Sequence, residues 1–216
     1  ITFYITNETQ RAYCAAYPDS EIWDISDPKM PVMVIEIPYP SIDKGVPVVG
    51  GVSPVPDNDA TQFPLSFSHL VLVNHDATIM IVGDETGGGG INGCDAYANA
   101  AGATASGPIG NLWFYDITDE NNPDLLGHVS PEAYDDPTDL TGSCTAHFGR
   151  LLEDTGFLVM GFYTSGVVLV DFRDPANPVL TDRIVLEGSD VWDVQYHQGY
   201  LFTGDINRGM DILSVL

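Results

Sequence analysis

Short apolar runs rich in β-branched and aromatic residues alternate with polar turn residues along most of the chain. The stretch "HLVLVNHDATIMIVGDE" (69–85) contains two such runs on either side of a tight turn. The stretches "HFGRLLEDTGFLVMGFY" (147–163) and "VWDVQYHQGYLFTGD" (191–205) have the same organisation, and residues 1–17 form a looser copy. Runs of this length and composition are typical of β-strands, and helical periodicity is hardly seen. The pattern therefore predicts an all-β protein.

A second phrase occurs three times, as "SEIWDISDPKMPVMV" (20–34), "NLWFYDITDENNPDLL" (111–126) and "GVVLVDFRDPANPVL" (166–180). Each copy has an apolar run, an Asp, two further residues, a second Asp and then a proline. The carboxylate of Asp accepts hydrogen bonds from backbone N–H groups two residues on, and proline cannot donate to a sheet ladder. The phrase therefore predicts a strand, a turn held by the aspartates, and another strand.

The two patterns follow each other and give modules of four strands, which are typical of β-propeller blades. We predict a single β-propeller domain over residues 1–216, with blades at about 1–40, 66–130, 145–187 and 189–216. The last module ends after its third strand, and no segment precedes residue 1 to supply the fourth. We therefore expect the chain to be the C-terminal part of a larger propeller of six to eight blades, with a closed four-bladed ring as the alternative.

Three long segments separate the predicted strands, at 41–64, 86–110 and 128–144. In the predicted propeller they project from the same face, because they join strands at the same end of the blades. Long irregular loops in a compact domain are usually functional or disordered. This long-loop face is therefore the predicted functional face.

The charge is strongly acidic, with 31 Asp and Glu residues against 7 Lys and Arg, for a net charge of −24. Such a surface repels phosphates, so binding to DNA or RNA is not expected. We interpret the acidity as adaptation to high salt (a halophilic protein), with a generally solvated surface and cation binding as alternatives. No apolar run approaches the length of about 18 residues needed for a transmembrane helix.

Polar side chains cluster where strands begin or end at the predicted channel mouth. Imidazole together with carboxylate suits transition metals, and a carboxylate-rich subset suits Ca²⁺. The alternative is that these groups only satisfy strand ends and hold water. No sequence motif of a known catalytic centre supports an enzyme directly, and no catalytic residue is predicted. The candidate metal ligands are His69, His147, Asp84, Glu85 and Asp205.

Three weaker candidates lie in loops or near the start of the chain. Asp135, Asp136 and Asp139 are close enough in sequence to form a Ca²⁺ loop, although their spacing does not match an EF-hand and a solvated acidic turn is the alternative. Two of the three cysteines are candidates for a disulfide, and one N-glycosylation sequon is present. These residues are Cys94 and Cys144 for the disulfide and Asn7 for glycosylation.

The segment "LVDFRDPANPVLTDRIVL", followed by "VWDVQYHQGYLFTGDINRGMDIL", resembles the LVIVD-repeat propellers of bacterial and archaeal surface proteins. It is also similar to the repeats of choice-of-anchor B proteins, whose blades carry a related "SH…DE…VxDxxDPxxP" phrase. The resemblance covers nearly the whole chain except 41–64 and 86–110. It implies a β-propeller that is secreted or attached to the cell envelope, and says little about a reaction.

From these observations we expect a secreted or cell-surface β-propeller that acts as a protein-interaction or structural module through its long-loop face. Its expected partner is a protein or further propeller blades. The alternative is a metal-dependent (Cu, Zn or Fe) enzyme or redox-associated propeller with a histidine and carboxylate site at the channel mouth.

Overall fold

The computed structural model describes residues 10–16, 19–37, 67–85, 112–129, 146–152 and 155–214, together with the backbone of 3–6. Within these ranges fifteen strands form four separate antiparallel sheets, here called sheets 1 to 4. Sheet 1 contains β1 (Phe3–Thr6), β2 (Arg11–Ala15), β3 (Ser20–Asp24) and β4 (Val32–Ile37), and sheet 2 contains β5 (Phe67–Val73), β6 (Ile79–Glu85), β7 (Leu112–Asp116) and β8 (Asp124–Val129). Sheet 3 contains β9 (Gly149–Leu152), β10 (Phe157–Gly161), β11 (Val167–Asp171) and β12 (Val179–Ile184), and sheet 4 contains β13 (Val191–His197), β14 (Tyr200–Asp205) and β15 (Ile212–Ser214).

Each sheet is a meander in which strands adjacent in sequence are hydrogen-bonded neighbours. The strands of one sheet all lie within one of the four modules recognised in the sequence. The described residues contain no helix, so the predicted all-β class is confirmed. A helix long and apolar enough to cross a membrane is likewise not found among them.

The sheets pack face to face in chain order, and sheet 2 shows how. Successive side chains on a strand point to opposite faces. Leu70 and Leu72 of β5 therefore join a hydrophobic cluster with sheet 3, whereas Val71 and Val73 join a cluster with sheet 1. A third cluster, which includes Val159 and Val194, joins sheets 3 and 4. Strands buried on both faces read as continuous apolar runs, which explains sequences such as "HLVLV".

The three Asp-rich phrases form the same turn between the third and fourth strands of their sheets. In sheet 1, Asp24 Oδ1 accepts a hydrogen bond from the backbone N–H of Ser26 at 2.8 Å, and Asp27 Oδ1 accepts one from that of Lys29 at 3.0 Å. The prediction that these aspartates form turns is confirmed. The equivalent bonds run from Thr118 to Asp116 and from Asn121 to Asp119 in sheet 2, and from Arg173 to Asp171 and from Ala176 to Asp174 in sheet 3.

We expect these turns to make the stability of the protein depend on pH in acid. Hydrogen bonds hold the pKa of Asp24, Asp116 and Asp171 below the ordinary value of 3.8. A carboxylate whose pKa is lower in the folded state contributes stability above the unfolded-state pKa, and this stability is lost as the pH falls through the folded-state pKa. We expect the triple variant Asp24→Asn/Asp116→Asn/Asp171→Asn, which keeps an acceptor oxygen, to lose less stability than the wild type between pH 4 and pH 2. Urea unfolding at each pH measures this, and equally steep losses in both proteins would contradict it.

Candidate metal centre

A β-bulge positions the first histidine of the site. In sheet 2, Ser68 pairs with Asp84 and Leu70 pairs with Gly83, so that His69 is the extra residue between the two pairs. A bulge redirects the side chain of the extra residue and increases the local twist. His69 is thereby aimed toward sheet 3 from the start of β5.

The same irregularity recurs at the start of sheets 3 and 4. Gly161 O accepts from His147 N–H at 3.0 Å, and Gly161 N–H donates to Phe148 O at 2.9 Å, so two residues face one glycine. In sheet 4 the register shift leaves Trp192 as the extra residue. A Cβ atom at Gly161 would lie 3.0 Å from the Val191 carbonyl oxygen, so the glycine lets sheet 4 approach closely.

His69, His147 and Trp192 thus occupy equivalent positions in three consecutive sheets, and their rings form a row. The ring centroids of His69 and His147 are 4.6 Å apart. His147 stacks on Trp192 with centroids 4.9 Å apart and an angle of 11° between the ring planes. The repeated bulge therefore brings side chains that are far apart in sequence into contact.

A second equivalent position supplies a carboxylate. Glu85 lies two residues after the glycine that faces the bulge in sheet 2, and Tyr163 lies two residues after the corresponding glycine of sheet 3. The Tyr163 hydroxyl donates a short hydrogen bond to Glu85 Oε1. Glu85 Oε2 lies 3.3 Å from His69 Nε2, and Glu85 Oε1 lies 3.8 Å from His147 Nε2. The carboxylate therefore lies between the two imidazoles.

The spacing of these donor atoms is close to that of a metal site. One donor atom from each of His69, Glu85 and His147 can be chosen so that all lie within 4.8 Å of one another, and all three residues are buried. Tetrahedral ligands at about 2.0–2.1 Å from zinc are separated by roughly 3.3 Å. Donors as far as 4.8 Å apart would therefore have to move inward to reach bonding distance of one ion.

The backbone fixes the orientation of His147. Its Nδ1 lies 2.7 Å from the carbonyl oxygen of Trp192. Because a carbonyl only accepts, Nδ1 must carry the hydrogen, and in the neutral ring the lone pair is then on Nε2, which faces Glu85. Metal-binding histidines almost always make such a second hydrogen bond, which fixes the tautomer.

The protonation states of the cluster suit a cation. Burial, with a smaller contribution from the neighbouring His147, lowers the pKa of His69 to about 3. Burial also lowers the pKa of His147. The pKa of Tyr163 is raised by burial and by its hydrogen bond to Glu85, so the phenol stays protonated and donates. Both imidazoles are therefore neutral at pH 7, as metal ligands must be.

Tyr163 has an unusual backbone conformation for a non-glycine residue, with φ of 47°. Two backbone hydrogen bonds with Val191, each of 2.9 Å, hold it in place. Left-handed conformations of this kind cost about 1–3 kcal/mol and are concentrated at functional sites. The turn thus places the Tyr163 hydroxyl against Glu85 at a conformational cost.

The other two predicted ligands lie elsewhere. Asp84 points to the opposite face of β6 from Glu85, and its Oδ2 accepts from Trp113 Nε1 at 2.5 Å. The carboxylate of Asp205 accepts three hydrogen bonds of 2.9 Å each from the backbone N–H groups of Asp190, Asn207 and Arg208. Asp190 precedes β13 and the other two follow β14, so Asp205 closes a turn. The expectation that Asp84 and Asp205 share a site with the histidines is therefore replaced by a cluster of three residues.

Several sequence candidates lie outside the described residues. These are the Ca²⁺ loop at Asp135, Asp136 and Asp139, the cysteines Cys94 and Cys144, the sequon at Asn7, and the segments 41–64 and 86–110. Most of the segment 128–144 is outside them as well.

Two residues of the site were not predicted from the sequence, namely Tyr163 and Trp192. Both occupy repeat positions already identified elsewhere, because Tyr163 matches Glu85 and Trp192 matches the two histidines. Aligning the modules on the glycine near the end of each second strand would have indicated both. The Trp192 carbonyl that orients His147 belongs to the backbone, so this contact leaves no signal in the sequence.

No protein-family model matches the sequence, and no curated protein matches it. Among solved structures, the chain is similar to a protein from Lactobacillus plantarum, with a TM-score of 0.60 and 10% identity over 98% of this chain and 52% of that chain. It is also similar to the computationally designed Ika4 protein, with a TM-score of 0.51 and 8% identity over 96% of this chain and 86% of that chain. The chain thus spans about half the length of the L. plantarum protein. At these identities the likeness concerns the fold alone.

Proposed function

We propose that this protein is a metal-binding β-propeller domain in which His69, Glu85 and His147 bind one divalent transition-metal ion. The observation that carries the proposal is the convergence of two imidazoles and one carboxylate in a buried cluster. The Trp192 carbonyl is hydrogen-bonded to His147 and the Tyr163 hydroxyl to Glu85, so two of the three proposed ligands have a fixed orientation. Such outer contacts are typical of metal sites.

The propeller arrangement is part of the proposal and is supported by the packing of the sheets. Consecutive sheets pack face to face through their own hydrophobic clusters, as the blades of a propeller do. The row formed by His69, His147 and Trp192 runs along the starts of the first strands of sheets 2, 3 and 4. In a propeller the first strand of each blade lines the central channel, so the row would lie at the channel mouth.

The electrostatics of the cluster also favour a cation. Glu85 is buried, and the two imidazoles within 4 Å of its carboxylate, those of His69 and His147, are neutral at pH 7 and bring no positive charge. Burying a carboxylate is costly unless positive charge or several hydrogen bonds compensate. A divalent ion between Glu85 and the imidazoles would supply that charge directly.

The ligand set indicates the class of metal. Two histidines and one carboxylate bind Zn²⁺ in hydrolytic enzymes and Fe²⁺ in oxygenases, and in both cases coordination positions remain open. An ion held by three protein ligands here would accept a water molecule, a substrate atom or a further ligand at the open position. Zn²⁺ is the first ion to test, since it commonly binds to two histidines and one carboxylate.

A second proposed function is association with a protein partner. Exposed apolar side chains on the outer faces of sheets 1 and 4 favour it. The proposed location outside the cell or in the cell envelope is based only on the resemblance to LVIVD-repeat and choice-of-anchor B proteins.

Metal binding is tested on chelator-treated protein by isothermal titration with Zn²⁺, Fe²⁺, Cu²⁺ and Ca²⁺ in 0.5 M salt, which weakens non-specific binding to the acidic surface. We expect one equivalent of a transition-metal ion to bind to the wild type and none to the variant His69→Ala/His147→Ala. His197→Ala, which changes an exposed histidine of β13, is the matched control and should bind as the wild type does.

Circular dichroism of each variant verifies that it is folded. Absence of stoichiometric binding to the wild type would overturn the proposal, and so would equal binding to the folded double variant. Tight binding of Ca²⁺ alone, unaffected by the double variant, would place a cation elsewhere and would also count against this site.

A further inference from the structure

The outer face of sheet 4 carries exposed apolar side chains beside the polar side chains of Gln195 and His197. Its inner face is formed by residues such as Val194 and Leu201, which pack toward sheet 3. The alternate residues point the other way, and cross-strand pairing places Phe202 beside Ile212 on this outer face. Tyr200 is 50% exposed and Ile212 is 56% exposed.

The outer face of sheet 1 also carries apolar side chains, together with Glu21 and Glu36, which pair with each other on this face. Tyr13 and Ile22 point toward sheet 2, where they join its hydrophobic cluster. Cross-strand pairing places Ala12, Trp23 and Met33 together on the opposite face, and Met33 is 45% exposed. Sheets 2 and 3, in contrast, bury both of their faces.

The four sheets therefore form an open series in the part of the chain that the structure describes. Hydrophobic clusters join sheet 1 to sheet 2, sheet 2 to sheet 3, and sheet 3 to sheet 4, and no such cluster among the described residues joins sheet 4 back to sheet 1. The two end faces resemble the two halves of one more junction between sheets.

The similarity to the L. plantarum protein indicates what would complete the series. Nearly all of this chain, 98%, matches 52% of that chain. That protein therefore contains about as much additional chain as the part that resembles this one. A second set of four sheets is the addition that would match this length.

We infer that two copies of this chain pair end to end, with the outer face of sheet 4 of each copy packed against the outer face of sheet 1 of the other. This inference rests on the proposed propeller arrangement and is independent of metal binding. A two-fold axis through the ring gives two identical junctions and leaves neither end face exposed. The product is a closed ring of eight sheets.

Charge adds a specific dependence on salt. Each copy has a net charge of −24, so two copies repel each other at low ionic strength. The Debye length falls from about 10 Å at 0.1 M to about 3 Å at 1 M salt, which screens this repulsion while apolar contacts are retained. The dimer should therefore become tighter as salt is added, opposite to an association held by ion pairs.

Size-exclusion chromatography with light scattering tests the inference on the 216-residue chain in 0.1 M and 1 M salt. We expect a mass twice the 23.3 kDa of one chain, with the dimer fraction larger in 1 M salt. Ile212→Glu and Met33→Glu should each give monomers. Val179→Glu changes an apolar residue of β12 that is 54% exposed and should stay dimeric.

Mixing the two monomeric variants provides a test that does not depend on either variant alone. A pair of one Ile212→Glu chain and one Met33→Glu chain contains one junction with both changes and one junction with none. We therefore expect the mixture to recover association, which also shows that both variants are folded.

A monomeric wild type at both salt concentrations would overturn the inference, as would an assembly of another size or variants that remain dimeric. The variant His69→Ala/His147→Ala should stay dimeric. Failure of metal binding and failure of pairing are thus seen in different experiments.

Discussion

Replacing Phe114 by alanine is expected to lower the free energy of unfolding by about 3–5 kcal/mol. Phe114 lies on β7 and is fully buried in the cluster between sheets 2 and 3, where its ring faces that of Phe172 at 5.9 Å. The change removes an aromatic ring from a packed interior and leaves a cavity. Because domains are stable by only about 5–15 kcal/mol, this is a large fraction of the total.

Urea unfolding followed by circular dichroism measures the effect of the Phe114 change. Val179→Ala is the control, since Val179 is exposed on β12 and surface changes are usually within about 0.5 kcal/mol. The Phe114 variant should also bind the metal less tightly, because His69 and His147 belong to the two sheets that it loosens. A loss below 1 kcal/mol would show that this junction is not the principal core.

Replacing Tyr163 by phenylalanine is expected to weaken metal binding by about 10–100-fold, the usual cost of losing an outer contact to a ligand. The change deletes the hydroxyl that donates to Glu85 and leaves the ring against His147 in place. The carboxylate then has more freedom to turn away from the imidazoles. Isothermal titration against the same ion as for the wild type measures the difference.

Tyr196→Phe is the matched control for the Tyr163 variant, because Tyr196 is an exposed tyrosine of β13. A structural role of Tyr163 alone would lower stability in the metal-free protein and leave the affinity of the folded protein unchanged. An unchanged affinity would therefore contradict the assignment of Tyr163 to the site.

Much of the fold follows from local patterns in the sequence. Leu70, Val71 and Leu72 point alternately into two hydrophobic clusters, so every residue of this run is apolar. The repeated Asp turn marks the end of the third strand in three of the sheets. These signals depend on backbone geometry and on residues two apart. They could be interpreted without knowing how the sheets pack.

The site was predicted only in part, because the sequence does not show toward which neighbouring sheet each side chain points. The sequence placed both histidines and the pair Asp84–Glu85 at strand ends, but consecutive residues on a strand face opposite sides. Only Glu85 points toward His147, while Asp84 binds the indole of Trp113. Regular alternation along β6 puts Glu85 on the same side as Ile81, which joins the cluster with sheet 3. The bulge at His69 interrupts the alternation on β5, and a bulge changes the register without a distinctive sequence mark.

The division of the three ligands between two sheets has a consequence for unfolding. His69 and Glu85 come from sheet 2, whereas His147 precedes the first strand of sheet 3. In repeat proteins whose units touch mainly their neighbours, stability is approximately a sum of unit and interface contributions. An ion shared across one interface would strengthen that interface alone. Sheets 2 and 3 would then melt together as a cooperative pair, and the outer sheets would be free to fray first.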